Sequence, residues 1–135
     1  MLLDTNTIIR YIVGTPQKQF LDIRNVMRDV AKGKHHLVLK PMVLAECVFV
    51  LSSFYEQSRK EISVNLRTFV SVAEVKSEEA KVLILALEIY GKKKLDFVDC
   101  YLAASSVIDD EEVLSFDKDF GKVEGVRWIN PTTYK

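Results

Sequence analysis

The chain has few cysteines that could cross-link it, and it has no net charge. Its 135 residues include two cysteines, Cys47 and Cys100, which are too few for a disulfide framework. Both lie in apolar runs, and we interpret them as small buried thiols of a reducing compartment. The 19 basic and 19 acidic residues cancel, so no overall positive field attracts nucleic acid. Any nucleic-acid binding must therefore depend on local patches.

Long hydrophobic runs are also missing. No stretch approaches the roughly 20 apolar residues of a membrane-spanning helix. The N-terminus has no basic region before its apolar run, as a signal peptide would have. We therefore expect a cytoplasmic protein that does not contact a membrane. Hydrophobic residues make up 48% of the chain and charged residues 28%, which is typical of a single ordered domain over residues 1–135.

Short apolar segments alternate with helical patterns along the chain. Helices are predicted over residues 8–13, 17–32, 41–55, 59–70, 77–90 and 97–108. Strands are predicted over residues 2–3, 37–39, 72–75, 113–116 and 126–129. Strands separated by helices are typical of βαβ units, so we expect an α/β fold with a mostly parallel sheet covered on both faces.

Four carboxylates follow or interrupt these apolar segments. Asp4 closes the first predicted strand and Asp117 follows the fourth, whereas Glu46 and Asp99 lie in apolar helical runs. No Lys or Arg lies within one helical turn of Glu46 or Asp99, so neither acid has a local partner. The carboxyl ends of parallel strands share one edge of a sheet, and we expect Asp4 and Asp117 to lie there together.

Carboxylates that lie close together repel one another, and proteins usually neutralise this repulsion with a divalent cation. Mg²⁺ and Mn²⁺ take oxygen ligands, so the four acids predict a metal site that supports phosphoryl transfer or hydrolysis. Zinc is not indicated. Although Cys47 follows Glu46 and Cys100 follows Asp99, the spacing of a zinc site is absent.

The first two acids also have plain structural interpretations. Asp4 can cap the helix that follows it, which is compatible with metal binding. Glu46 could lie on an exposed polar stripe of its helix. That stripe would need polar residues at positions 42, 43, 49 and 50, which are all apolar. We therefore expect this helix to be buried on most sides.

The other two acids have structural alternatives as well. Asp99 can belong to a capping box that begins at Asp96, and we assign Asp96 to capping and Asp99 to the site. Asp117 and Asp119 flank Lys118 in a segment where aspartate is ordinary turn chemistry. One of these two acids is expected to be structural.

The ordered set of motifs resembles the PIN domain, and its length and element order resemble the stand-alone VapC-type toxins. The motifs are Leu3-Asp4-Thr5-Asn6, then Glu46 in an apolar helix, then Asp99 followed by Leu102-Ala103-Ala104, and finally Ser115-Phe116-Asp117-Lys118-Asp119-Phe120. The resemblance covers nearly the whole chain. It implies a three-layer α/β/α sandwich around a central parallel sheet of about five strands, and a Mg²⁺- or Mn²⁺-dependent ribonuclease.

The resemblance also implies roles for individual residues. The metal-site and catalytic acids are Asp4, Glu46, Asp99 and Asp117, and the substrate-binding or outer-shell residues are Thr5, Asn6, Ser115 and Asp119. Members of the family commonly form homodimers and are neutralised by a cognate antitoxin whose C-terminal tail enters the active groove. The implied partners are therefore an RNA substrate, an antitoxin and a second copy of the chain. The helix over residues 59–70 departs from the family pattern and could alter the shape of the groove.

Other classes of function stay open at this stage. An aspartyl-phosphate phosphatase also begins with an aspartate at the end of a first strand. Such enzymes resemble an Asp-x-Asp-x-Thr pattern, and here Asn6 stands in place of the second acid. A binding or regulatory module could keep the fold without turnover. The zero net charge does not choose between RNA and DNA as substrate.

Overall fold

Helices and short strands alternate along residues 1–134, which the computed structural model describes. The helices are α1 Thr5–Val13, α2 Gln17–Ala31, α3 Pro41–Ser53, α4 Arg59–Val70, α5 Ala80–Lys92 and α6 Phe97–Asp109. The strands are β1 Leu37–Val38, β2 Val75–Lys76, β3 Glu112–Leu114 and β4 Arg127–Ile129, with 3₁₀ helices at Lys118–Lys122 and Pro131–Thr133. This order confirms the α/β class.

The strands pair in parallel, as predicted, but they form two separate pairs. In the first pair Val38 of β1 lies opposite Lys76 of β2, and Leu2 forms an isolated parallel bridge to Val38. In the second pair Val113 of β3 lies opposite Trp128 of β4. Across residues 1–134 the pattern is four short strands and one bridge. A single five-stranded sheet therefore stays a prediction.

Helix packing supplies most of the core. α5 packs along both α4 and α6, and α1 packs against α2 and α3. Leu44, Leu66, Leu83 and Leu87 are fully shielded from solvent. Burying such a side chain stabilises the fold by about 1.5–3 kcal/mol, so these contacts outweigh strands of two or three residues. Between residues 1 and 134, no helix is both long and apolar enough to cross a membrane.

Several element boundaries differ from the predicted ones because of local hydrogen bonds. Asp4 accepts from the Thr5 N–H at 2.8 Å, so α1 begins at Thr5, three residues before the predicted start at Ile8. Ser77 accepts from the Glu79 N–H at 3.3 Å in a turn that precedes α5, so this helix begins later than predicted. The third strand also lies later than predicted, at Val75–Lys76. The predicted bounds of α4 are confirmed, with Ser58 as its hydrogen-bonding N-cap.

The prediction that α3 is buried on most sides is wrong. Leu44 and Cys47 face the core, but Met42 is 85% exposed and Phe49 is 68% exposed. Glu46 is exposed on the same side of the helix. An apolar stripe therefore lies on the surface, because the apolar character of a residue does not decide what covers it.

Gly91 allows α5 to pack closely against α4. A Cβ atom at this position would lie 2.8 Å from the Ser63 Cβ atom and 2.9 Å from its Oγ atom. We expect Gly91→Ala to lower the free energy of unfolding by about 1–3 kcal/mol through overpacking. This holds although alanine is the better helix former by roughly 1 kcal/mol.

Urea denaturation measures this change. As a control, Lys92→Ala replaces an exposed side chain at the next position of α5. It should change the free energy of unfolding by less than about 0.5 kcal/mol. A Gly91→Ala variant more stable than the wild type would contradict the close contact.

Candidate active site

Thr5 holds the first pair of acids, Asp4 and Glu46. Its N–H donates to the Asp4 carboxylate at 2.8 Å, and its hydroxyl donates to the Glu46 Oε2 atom at 3.0 Å. Thr5 is 6% exposed, whereas both acids are exposed. One buried residue therefore connects two carboxylates whose segments lie far apart in the sequence.

The two acids also act on the buried thiol that follows Glu46. Burial raises the pKa of Cys47 to about 12, and the charges of Glu46 and Asp4 contribute to this rise. Burial likewise raises the pKa of Cys100 to about 12. Both cysteines are free and buried. At neutral pH they are protonated thiols, whereas the thiolate is the form that binds metal ions and acts as a nucleophile.

Asp99 lies among three further carboxylates. It is half-buried in the first turn of α6. Burial, followed by the charges of Asp117, Asp96 and Asp119, raises the pKa of Asp99. Among residues 1–134, no Lys or Arg forms a salt bridge with Asp99, Asp117 or Asp96. The repulsion at Asp99 is therefore not relieved by a pairing side chain.

A tight turn after β3 positions Asp117. The Asp117 N–H donates to the Ser115 Oγ atom at 3.0 Å, and the Asp119 N–H donates to the Asp117 Oδ1 atom at 2.9 Å. The indole N–H of Trp128 donates to the Ser115 carbonyl at 2.9 Å, which attaches the turn to β4. Asp119 pairs with Lys122 at 2.7 Å and raises the pKa of that lysine. Asp117 thus serves both as a turn residue and as a neighbour of the other acids.

Asp96 occupies the N-cap position of α6, as predicted, but its side chain makes no capping hydrogen bond. Its charge also raises the pKa of Asp99. Asn6 lines a cleft of about 370 Å³ between α1 and α2, together with Arg10 and Gln19. The side-chain hydrogen bonds of the first 134 residues include none from Asn6 to an acid.

The four predicted acids group as two pairs. Asp4 and Glu46 are joined by hydrogen bonds to Thr5, whereas Asp99 and Asp117 are linked only through the effect of the Asp117 charge on the pKa of Asp99. A cleft of about 470 Å³ between α3 and α6 is lined by Ala45 and Val98, the immediate neighbours of Glu46 and Asp99. In the described part of the chain, no three His, Cys, Asp or Glu side chains lie close enough to hold one ion. A centre that uses all four acids therefore stays a prediction.

Comparison with known proteins identifies the family of the chain. The family model of the PIN domain matches residues 1–126, and the chain belongs to the PIN domain family. It is similar to VapC ribonuclease Mb2004c of Mycobacterium bovis and to Ribonuclease VapC36 of Mycobacterium tuberculosis. Each is 25% identical over 130 residues, which cover 92% of this chain and 90% of the relative. The family predicted from the motifs is confirmed.

The raised pKa of Asp99 gives a pH-dependent prediction for Asp99→Asn without divalent metal. A folded pKa above the unfolded value of about 3.9 means that folding favours the protonated acid. This stabilisation is complete below the unfolded pKa and is lost as the pH rises through the folded pKa. Asparagine has no such proton to lose. We therefore expect Asp99→Asn to melt at a higher temperature than the wild type at neutral pH, with a smaller difference in acid.

Thermal unfolding in EDTA between about pH 3.5 and 7.5 measures this effect. Asp109→Asn replaces the exposed last residue of the same helix and provides the baseline for an aspartate change in α6. A difference that stays constant with pH, or that grows in acid, would contradict the environment of Asp99 described above.

Proposed function

We propose that the protein is a Mg²⁺- or Mn²⁺-dependent endoribonuclease that hydrolyses RNA phosphodiester bonds, and the toxin of a toxin–antitoxin pair. The observation that carries the proposal is the group of carboxylates around Asp99. Burial and the charges of these carboxylates raise the pKa of Asp99, and no salt bridge within residues 1–134 includes Asp99. Membership of the PIN domain family and the similarity to two VapC ribonucleases support the same activity.

The donor chemistry of the site fits a hard cation. Asp4, Glu46, Asp99 and Asp117 offer carboxylate oxygens, and the neighbouring thiols are protonated. Mg²⁺ usually keeps several waters and binds through one or two carboxylates together with substrate phosphates. Two pairs of acids fit that pattern better than a closed protein cage, which residues 1–134 do not form. We infer that substrate phosphate completes the site.

In the proposed reaction, Asp4, Glu46, Asp99 and Asp117 would hold the cation. The bound cation would lower the pKa of the attacking water and offset negative charge on the phosphoryl group. Thr5 restrains Glu46 and Asp4 by hydrogen bonds, and Ser115 restrains the backbone of Asp117. The water oxygen bonds to phosphorus, the bond from phosphorus to the 3′ oxygen breaks, and that oxygen gains a proton. The products are a 5′-phosphate and a 3′-hydroxyl.

The proposal includes two protein partners, a cognate antitoxin and a second copy of the chain. Exposed apolar side chains away from the cleft offer surface for such contacts. These are Leu21 and Val26 on α2, and Val107 and Ile108 near the end of α6. An antitoxin segment over the acids would block access of RNA.

Cleavage of a mixed pool of structured and unstructured RNA tests the activity. Wild type, Asp99→Asn and Asp109→Asn are compared in EDTA, Mg²⁺ and Mn²⁺. We expect metal-dependent cleavage by the wild type and by Asp109→Asn, which changes an exposed acid at the far end of α6. Asp99→Asn should be about 100- to 1000-fold slower, the usual loss when one electrostatic stabiliser of a transition state is removed.

Two other results of this cleavage experiment would contradict the proposal. Cleavage by Asp99→Asn at the wild-type rate would show that the site is assigned wrongly. No cleavage in any arm, from folded protein free of bound inhibitor, would favour a binding or regulatory module. A parallel pool of single-stranded DNA separates a ribonuclease from a nuclease that accepts both.

Metal binding should also stabilise the fold, because a cation relieves the repulsion around Asp99. A ligand at about 100 times its Kd adds roughly 2.7 kcal/mol to the free energy of unfolding, so millimolar Mn²⁺ should raise the melting temperature by several degrees. EDTA should reverse the shift, and Asp99→Asn should lose most of it. A wild-type melting temperature that does not change when Mn²⁺ is added would argue against a preformed site.

A further inference from the structure

The cleft between α3 and α6 has an exposed apolar wall next to the acids. Phe49 is 68% exposed and Val98 is 60% exposed, and both line this cleft of about 470 Å³. Phe49 follows Glu46 by three residues on α3, so the two side chains are neighbours on the helix surface. Val98 directly precedes Asp99 on α6. The apolar wall therefore lies beside one acid from each pair.

Polar groups lie in the same cleft. Ser52 and Ser53 line it from α3, and Asp96 lines it from the start of α6 with a carboxylate that is not used as a helix cap. Arg59 also lines the cleft, but its guanidinium donates to three backbone carbonyls at 2.7–3.2 Å and stacks 4.3 Å from the centre of the Tyr90 ring. The one cation among the lining residues is thus engaged within the protein.

We propose that this cleft binds one unpaired nucleobase of RNA next to the scissile phosphodiester, with Phe49 as its stacking surface. The inference rests on the proposed ribonuclease function and names the position of the adjacent base. A nucleobase has flat apolar faces and a polar edge. The ring of Phe49 on α3 matches a face, and the Asp96 carboxylate at the start of α6 matches the edge.

The charges of the cleft favour a base over other occupants. A phosphate would meet the Asp96 carboxylate, which repels an anion, and the Nη1 group of Arg59 already donates to three backbone carbonyls. An apolar side chain of a partner would cover that carboxylate without offering it a hydrogen-bond donor, which is costly. The exocyclic amino groups of cytosine, adenine and guanine are donors that a carboxylate can accept from.

Binding of short single-stranded RNA without turnover tests this site. The probes are fluorescein-labelled RNAs of mixed sequence, about ten nucleotides long, each with one abasic ribose at a different position. Anisotropy is measured in Ca²⁺, and a gel verifies that the RNA is intact. For the wild type we expect one abasic position to weaken binding by about 5- to 150-fold, the range for loss of one stacked base.

Variants of exposed aromatic residues assign this loss to the cleft. Phe49→Ala should bind the intact RNA as weakly as the wild type binds the critical abasic probe, and it should no longer distinguish the two. Phe49→Trp should restore the discrimination. Phe54→Ala removes another exposed aromatic ring at the end of α3, outside the cleft lining, and should bind like the wild type.

Other outcomes overturn the proposal. Wild-type affinity in Phe49→Ala would exclude base stacking and would favour a protein segment as the occupant. Equal weakening of intact and abasic RNA by Phe49→Ala would indicate a general effect on the surface. Metal-dependent RNA cleavage together with either result would leave the ribonuclease function standing. Absence of both RNA binding and RNA cleavage by the wild type would overturn the function and this inference together.

Discussion

The geometry of the first acid pair depends on the hydrogen bond from the Thr5 hydroxyl to Glu46. Thr5 is buried at the start of α1, directly after the segment that bridges to β1. Its N–H holds Asp4 while its hydroxyl holds a carboxylate on α3. Glu46 is exposed and would otherwise rotate freely in solvent. A small buried residue thus gives two exposed acids a defined position.

The second pair of acids carries an electrostatic cost that the helices must offset. Burial raises the pKa of Asp99, and the charges of Asp117, Asp96 and Asp119 raise it further. Such an arrangement destabilises the charged state and is common at functional sites. The stabilising contacts lie elsewhere, where α5 packs along α4 and α6. Because the stabilising helix contacts lie apart from the acids, the protein keeps its fold despite the destabilised charged state of Asp99.

Particular residues show where prediction from the sequence succeeded and where it failed. The bounds of α4 follow from its apolar spacing and the Ser58 cap, which are both local. The exposure of Phe49 and Met42 was missed, because periodicity identifies apolar residues without identifying what packs against them. Asp96 was assigned to capping from its position, which the structure confirms. Its position alone did not reveal that its side chain makes no capping hydrogen bond and that its charge acts on Asp99.

The sequence by itself determined the helices, the parallel strand segments, the candidate acidic residues and the resemblance to the PIN domain, because these depend on spacing and residue type along the chain. The tertiary structure decided how the acids are grouped. Asp4 and Glu46 are joined through Thr5, and the charge of Asp117 acts on Asp99 from a remote segment. Distances between remote segments depend on how all the helices pack, and no local pattern in the sequence contains them.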